Sequence, residues 1–165
     1  MKVKITMSLD KTDVRILAEL QRDGRQSVVD IAERVGLTHT PCLRRIRHLE
    51  DTGVIRGYTA VLDPAAVGLR VTAFVQVKLE RHVDDTMTRF MQAVESIDDV
   101  VSCHATTGNF DFLLTVLATD LDSLGTVVLK RLVALPGVRD IQSSIALRTV
   151  KRVGRVPLDH AGGHR

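Results

Sequence analysis

The side chains best suited to binding chemistry are concentrated between positions 39 and 48. Three arginines and two histidines fall there without any acid, and the first acid that follows is Glu50. Guanidinium groups carry forked N–H donors that match phosphate oxygens and the edge of guanine. The cluster therefore predicts contact with double-stranded DNA. A solvated charged surface is the alternative, although such surfaces normally mix both signs of charge, as the rest of this chain does.

These residues lie on a predicted helix whose ends are marked in the sequence. Thr38 is expected to cap the first turn through its hydroxyl, Pro41 is tolerated within that turn, and Gly53 follows the last turn. A narrow apolar stripe, suited to packing on other helices, leaves the basic residues outside. The stripe consists of Cys42, Leu43, Ile46 and Leu49.

Two shorter helices are predicted before this one. Asp10 and Asp13 form a capping box for the first, and Ser27 with Asp30 forms another for the second, which ends near Val35. A tight turn at residues 36–37 follows. Three short helices with a tight turn before the third are typical of a helix-turn-helix motif, with a plain helical bundle as the alternative.

In a helix-turn-helix motif the second helix of the pair presents its amino-terminal residues to the major groove. Arg47 and His48 lie further along the helix and are expected to contact phosphates, which position the protein without specifying sequence. The predicted DNA-binding residues are Thr38, His39, Thr40, Arg44, Arg45, Arg47 and His48.

The next part of the chain has β character. Residues 54–62 are expected to form a strand that joins the two halves of the protein, with pairing to another copy of the chain as an option. Residues 63–68 are expected to form a short turn or a single helical turn. Regular alternation over residues 71–79 predicts a half-buried strand. A helix is then predicted from the apolar spacing of Val83, Met87, Phe90, Met91 and Val94.

Two paired strands are predicted next. The first covers residues 100–107, and the return strand covers residues 110–118. Gly108 and Asn109 between them suggest a two-residue hairpin. The residues of the first strand expected to face inward are Val101, Cys103 and Ala105.

A helix and a final strand complete the pattern. A capping box at residues 119–122 opens the helix, and the strand covers residues 138–148. The helix's apolar positions are Leu121, Leu124, Val128, Leu132 and Leu135. The order strand, helix, strand, strand, helix, strand predicts an α+β protein whose second half is a ferredoxin-like βαββαβ domain.

The return strand is apolar on both sides. Leu113 and Leu117 lie opposite the residues that would face the helices. A sheet that is apolar on both faces is usually covered on both. A second copy of the chain is the economical cover, so a homodimer is predicted.

Composition sets the outer limits. The 165 residues are 44% hydrophobic and 26% charged, and they suffice for two small domains. The first 60 residues have net charge +3, residues 61–150 have −3, and residues 151–165 have +3. The expected domains are therefore 1–60 for DNA binding, a linker at 61–69, a sensing domain at 70–150 and a flexible tail at 151–165.

Several classes of function are disfavoured. No apolar run is long enough for a membrane span, no signal peptide is visible, and two cysteines form no disulfide framework, so a cytoplasmic protein is expected. Cys103 and His104 are adjacent on a strand and point to opposite faces, so they form no simple metal pair. No catalytic residues, metal or cofactor are predicted.

The chain resembles the feast/famine regulators, the leucine-responsive and asparagine-responsive (Lrp/AsnC) transcription factors. The resemblance extends from Leu9 to about Lys151 and rests on motifs that are weak singly and specific together. The run at residues 40–43 and the Cys103–His104 pair are most similar to the leucine-responsive branch. The motifs are Leu9-Asp10, Asp13, Ile16-Leu17, Leu20-Gln21, Asp23-Gly24-Arg25, Val35-Gly36-Leu37-Thr38, Arg44-Arg45-Ile46, Leu49-Glu50, Gly53-Val54-Ile55, Gly57-Tyr58, Gly108-Asn109-Phe110-Asp111 and Leu135-Pro136-Gly137-Val138.

The resemblance implies a winged helix-turn-helix joined to an ACT-like sensing domain, in a dimer that often assembles into octamers. It also implies an amino-acid effector, of the leucine type, bound near the loop that carries Gly108 and Asp111. Asn109 departs from the family, which usually has Asp there. The expected effector-binding residues are Thr106, Thr107, Gly108, Asn109, Asp111, Leu135, Val138 and Ser143. For Asp111 the alternative is a carboxylate that bonds the backbone of its own hairpin.

Two other functions remain open at the level of sequence. One is an architectural DNA-binding protein that responds to no effector. The other is a haem-precursor decarboxylase, since some of these enzymes resemble the family in fold. The basic residues at positions 39–48 argue against the enzyme, which has no need of a positive helix.

Overall fold

A computed structural model describes residues 9–80, 85–151 and 154–161, except for the side chains of residues 127 and 128. The chain divides into two compact units. The DNA-binding unit consists of residues 1–60 together with residues 151–165, and the sensing unit consists of residues 61–150. We use these two names below for the two parts of the chain.

Three helices form the DNA-binding unit, as the apolar spacing predicts. They are α1 (Lys11–Arg22), α2 (Val28–Val35) and α3 (His39–Asp51). Gly36 adopts the left-handed conformation between α2 and α3, with a φ of 73° that suits glycine. The buried residues of this core are Ile16, Leu17, Ile31, Ala32, Val35, Cys42, Ile46 and Leu49. Leu43 is only half-buried, so the inner stripe of α3 is narrower than predicted.

The helix caps are partly as predicted. Asp10 and Asp13 form the full reciprocal capping box of α1. The Ser27 hydroxyl accepts from the Asp30 backbone N–H at the start of α2, although the reciprocal bond is not formed there. The prediction for Thr38 is wrong in one respect, because it occupies the N-cap position of α3 without a side-chain hydrogen bond.

The strand predicted at residues 54–62 is not formed in the single chain. Ile55 packs on the helical core, and the Tyr58 hydroxyl donates to Glu50 at 2.9 Å. β propensity needs a neighbouring strand to satisfy the backbone, and none of the described strands pairs with this segment.

The sensing unit has the predicted order of elements. A short 3-10 helix (Ala65–Val67) precedes β1 (Val71–Leu79), α4 (Thr86–Glu95), β2 (Val100–Ala105) and β3 (Phe112–Ala118). The second helical region runs through α5 (Leu121–Ser123), a π-helical stretch (Leu124–Leu129) and α6 (Lys130–Val133) before β4 (Val138–Ile145). The four strands are antiparallel in the order β2-β3-β1-β4, which is the ferredoxin-like arrangement.

Burial in the sensing unit follows the alternation of the central strands. Ala73, Val75 and Val77 of β1 and Phe112 and Leu114 of β3 are among its most buried residues. Phe90 of α4 packs on Phe112, with ring centroids 4.7 Å apart. The opposite face of β3 carries the half-exposed Leu113 and Leu117, as predicted.

Some predicted inner positions are exposed. Val101, Cys103 and Ala105 are exposed because β2 is an edge strand, and the helices do not cover it. Met87, Met91 and Leu121 are also exposed. Val83 lies outside the described residues. The second helical region is capped by Asp120, which accepts from the Ser123 N–H, rather than by Thr119.

The predicted two-residue hairpin is wrong. The last backbone bond of the β2–β3 pair joins the Thr106 N–H to the Asp111 carbonyl at 2.9 Å, so four residues form the turn. Within it the Thr106 hydroxyl donates to the Phe110 carbonyl, and Gly108 has a φ of 118°. This longer loop places Asp111 at its base, beside β1.

The tail that the sequence predicts to be flexible has contacts in its described part. Residues 154–161 belong to the DNA-binding unit, where Leu158 packs on the helical core. An apolar residue at position 158 within a basic segment is the signal that the composition of the tail obscured.

Gly137 supplies a stability prediction. It has a φ of 72°, and a Cβ there would lie 1.8 Å from Cγ2 of the buried Thr86. Gly137→Ala should therefore destabilise the protein by more than the roughly 1–2 kcal/mol of a left-handed residue alone. Chemical denaturation would measure the change in the free energy of unfolding.

Gly68→Ala is the matched control for this prediction. Gly68 also has a positive φ, of 90°, but a Cβ there would meet nothing within 4 Å. The control should show only the backbone penalty, and Thr86→Ser should rescue part of the Gly137→Ala loss. Equal losses at the two glycines would contradict the steric explanation.

Candidate nucleic-acid interface and effector site

The outer face of α3 carries most of the predicted DNA contacts. Thr38, His39, Thr40, Arg44, Arg47 and His48 are all exposed. A shallow groove of about 350 Å³ runs along this face, lined by Thr40, Leu43, Arg44, Arg47, His48 and Asp51. Exposed guanidinium groups beside an open groove can reach phosphate oxygens and base edges without rearrangement of the helix.

The amino-terminal turn of α3 is suited to an anion. It contains no acid, and the Thr38 side chain accepts none of its backbone N–H groups. The first turn of a helix also has the positive end of the helix dipole. Both features favour a phosphate at this end of α3.

Arg45 differs from its neighbours in the partners of its guanidinium group. Its guanidinium Nη1 lies 2.6 Å from a carboxylate oxygen of Asp10 and 2.7 Å from one of Asp13, and its side chain is only 34% exposed. Arg45 therefore connects α3 to the capping box of α1. The sequence could not show this, because the two acids are more than thirty positions away and already had a role as caps.

The electrostatics of this cluster are consistent with a structural role. The Asp13 backbone N–H, and then the Arg45 guanidinium, hold the pKa of Asp10 below its ordinary value. Bonds to Asp13 and Asp10 raise the pKa of Arg45 in turn. Asp10 and Arg45 are therefore charged at neutral pH, and the cluster connects α3 to α1.

Charge is distributed unevenly between the two units. The DNA-binding unit contains 15 lysines and arginines against 9 acids, whereas the sensing unit contains 8 against 11. The basic tail thus contributes to the charge of the DNA-binding unit. A positive field of this kind attracts nucleic acid before any specific contact forms.

The predicted effector residues lie in two loops and one strand. Thr106, Thr107, Gly108 and Asn109 are exposed in the β2–β3 loop. Leu135 and Val138 are half-buried at the start of β4, where Val138 pairs with Leu79 of β1. Ser143 pairs with Val75 further along the sheet, so it lies away from the end that carries the β2–β3 loop and the start of β4.

Asp111 has a backbone partner that the sequence did not reveal. Its carboxylate accepts from the Leu79 N–H at 2.8 Å, and its own N–H donates to the Val77 carbonyl at 2.9 Å. The β1–β3 pairing ends at Val77 and Phe112, so the Asp111 carboxylate supplies the acceptor that a longer β3 strand would offer to the Leu79 N–H. The alternative prediction is that this carboxylate bonds the backbone of its own hairpin. In the structure it bonds the backbone of β1 instead.

Among the described residues, no cluster of His, Cys, Asp and Glu could hold a metal ion. No helix in the same part of the chain is both long and apolar enough to cross a bilayer.

Comparison with known families identifies both units. The winged helix-turn-helix DNA-binding model matches residues 9–56, and the Lrp/AsnC ligand-binding domain model matches residues 72–156. Together with the fold and the exposed basic helix, these matches define a DNA-binding transcriptional regulator with a ligand-binding domain. The chain belongs to the Lrp/AsnC family.

Individual relatives agree with this assignment. The leucine-responsive regulatory protein of Klebsiella pneumoniae is 39% identical over 148 residues, which cover 90% of each chain. A transcriptional regulator of Neisseria meningitidis, solved with L-Met, is 41% identical with a TM-score of 0.88 and covers 92% of this chain and 98% of its own. A feast or famine regulatory protein of Mycobacterium tuberculosis, complexed with L-methionine, is 33% identical with a TM-score of 0.79, over 87% and 95% of the two chains. These relatives are regulators, which supports the prediction that the chain is not an enzyme.

The Arg45 cluster leads to a prediction about stability and pH. Arg45→Met should lower the free energy of unfolding by about 1 kcal/mol at pH 7, since a partly exposed ion pair contributes about that much. Because the pKa of Asp10 is lowered in the folded protein, the contribution exists above the ordinary value of 3.8 and is lost as the pH falls through the folded value. Denaturation at pH 7 and at pH 2 would measure it.

Arg44→Met is the control for Arg45→Met. Arg44 is exposed on the same helix and forms no ion pair among the described residues. Its replacement should leave stability unchanged at both pH values. A deficit for Arg45→Met that persists undiminished at pH 2 would show that packing, and not the ion pairs, is responsible.

Proposed function

We propose that the protein is a sequence-specific transcriptional regulator whose DNA affinity responds to a small apolar amino acid of the leucine or methionine type. The observation that carries the DNA-binding part is the exposed row of Arg44, Arg47 and His48 along the groove of α3. The effector part is supported by the ligand-binding domain match and by the methionine complexes of the two relatives.

The residues of α3 divide into two roles in this proposal. Arg44, together with His39 and Thr40 near the amino terminus of the helix, is positioned for base edges. Arg47 and His48 are positioned for phosphates, which orient the helix in the groove. Arg45 holds the helix in place through α1 and contacts no DNA.

The sensing unit is proposed to bind the effector at the end of the sheet that carries both the β2–β3 loop and the start of β4. Asp111 can offer negative charge to an ammonium group while one of its oxygens accepts from Leu79. Leu135 and Val138 can contact an apolar side chain. Ser143 is less favoured than the others because it lies further along β4.

The sensing unit is also proposed to form a homodimer, and dimers to assemble into octamers as the resemblance implies. The sheet face opposite the helices has Phe74 43% exposed, with Leu113 and Leu117 half-buried beside it. Assembly matters for DNA binding because several α3 helices on one particle would add their individually weak contacts.

The DNA-binding role predicts different outcomes for two exposed arginines. Arg44→Ala and Arg47→Ala should each weaken binding to the protein's own upstream region by roughly tenfold at fixed salt. Arg47→Ala should also reduce the slope of log affinity against log salt by about 1, because the loss of one phosphate contact means that one fewer counterion is released. Arg44→Ala alone should relax sequence preference. Fluorescence anisotropy titrations on specific and scrambled duplexes would measure both quantities.

Arg89→Ala is the control for these titrations. Arg89 is an exposed arginine of the sensing unit, paired with Asp85 at 2.8 Å. Its replacement should leave DNA affinity and salt slope unchanged. Wild-type affinity in both Arg44→Ala and Arg47→Ala would refute the assignment of α3 as the reading helix.

The effector role predicts that two variants of Asp111 behave differently. Asp111→Asn keeps an oxygen that can accept from the Leu79 N–H, but it removes the charge that an ammonium group requires. The fold should therefore be retained, while effector affinity falls by at least roughly tenfold. Asp111→Ala loses both functions and should also be less stable. Calorimetric titration with leucine and methionine, alongside thermal unfolding, would separate the two effects.

Asp98→Asn removes an exposed carboxylate from the same unit and controls for charge alone. It should leave effector affinity unchanged. An Asp111→Asn protein with wild-type effector affinity would restrict Asp111 to its bond with β1. If no amino acid binds the wild-type protein or alters its DNA affinity, the effector part of the proposal fails and an architectural DNA-binding role is favoured.

A further inference from the structure

The DNA-binding unit has an apolar groove on the side formed by α1 and the segment after α3. The groove has a volume of about 320 Å³. Its lining residues are Leu9, Leu17, Leu20, Gln21, Val54, Ile55, Arg56, Gly57, Tyr58, Val156 and Leu158. The last two belong to the carboxy-terminal segment, which forms one wall of the groove.

Gln21 holds this segment by its backbone. The Gln21 side-chain amide donates to the Val156 carbonyl at 3.1 Å, and its oxygen accepts from the Val156 N–H at 2.6 Å. One side chain thus satisfies both polar groups of one residue, as a neighbouring strand would do. Such a pair fits an extended backbone and gives the segment a defined register.

Apolar contacts hold the same segment two residues later. Leu158 is half-buried and packs on the helical core, and the Ala161 N–H donates to the Leu158 carbonyl at 2.9 Å to close a turn. By contrast, Leu147 and Val150 are 99% and 91% exposed. Among the described residues that follow β4, Leu158 therefore packs on the helical core, whereas Leu147 and Val150 do not.

We propose that residues 154–161 form a strap that docks on α1 and the helical core of their own chain and completes the DNA-binding unit. The strap is held at two points, by the paired backbone bonds of Val156 to Gln21 and by the half-buried Leu158, since the Val156 side chain itself is 65% exposed. Pro157 favours an extended backbone at Val156. The chain leaves the DNA-binding unit after residue 60 and returns to it after residue 150, so two chain segments connect the two units.

Hydrogen exchange at the Val156 amide tests the strap in the full-length protein. The amide should exchange at least roughly tenfold more slowly than in an unstructured chain, because it donates a hydrogen bond to the side-chain oxygen of Gln21. Gln21→Ala and Leu158→Ser should each remove this protection, whereas Leu147→Ser, an equivalent change at an exposed leucine, should preserve it. Removal of residues 154–165 should also accelerate exchange in α1.

Three results would overturn the proposal. One is exchange at the Val156 amide as fast as in an unstructured chain. Another is unchanged protection in both Gln21→Ala and Leu158→Ser proteins that are folded by circular dichroism. The third is protection that falls on dilution, which would assign the groove to the tail of a second copy. None of these measurements depends on DNA or effector, so failure of the proposed regulatory function would be seen separately.

Discussion

The orientation of α3 depends on its apolar contacts with the core and on the ion pairs of Arg45 with Asp10 and Asp13. We call these ion pairs the clamp. Burial of Cys42, Ile46 and Leu49 fixes which side of α3 faces the core. Arg45 lies at the border of that stripe, where its guanidinium can reach the two carboxylates that cap α1. The clamp thus uses one arginine to orient the helix and leaves Arg44 and Arg47 exposed for DNA. A recognition helix needs such a fixed position, because base contacts depend on geometry more than on charge.

In the sensing unit, Asp111 likewise combines a structural contact with a proposed binding role. Asp111 extends the sheet by accepting from Leu79 where β3 ends, and it lies at the base of the loop that is proposed to bind the effector. Pro136 and Gly137 lead into β4 at the same end of the sheet. The strap follows β4 along the chain, so it is the second chain connection, besides residues 61–69, between the sensing unit and the DNA-binding unit.

Local patterns predicted most of the fold, and contacts distant in sequence account for what they missed. Apolar periodicity and caps located the three helices of the DNA-binding unit and the order of strands and helices along the sensing unit. Burial of Cys103 was wrongly predicted because alternation shows which face a residue lies on, but not whether its strand is at an edge. The roles of Arg45 and of residues 154–161 depend on partners 32 to 135 positions away, which no window along the chain contains.

The division of roles on α3 can be tested most directly by NMR of arginine side chains during titration with an operator duplex. The Nε–Hε resonances of Arg44 and Arg47 should shift on addition of specific DNA. The Nη resonances of Arg45 should already be slowed in exchange in the free protein, because Nη1 donates to Asp10 and Asp13, and they should stay unchanged when DNA binds. A large shift at Arg45, with loss of its contacts to Asp10 and Asp13, would show that this residue leaves the clamp to bind DNA and that the proposed division is wrong.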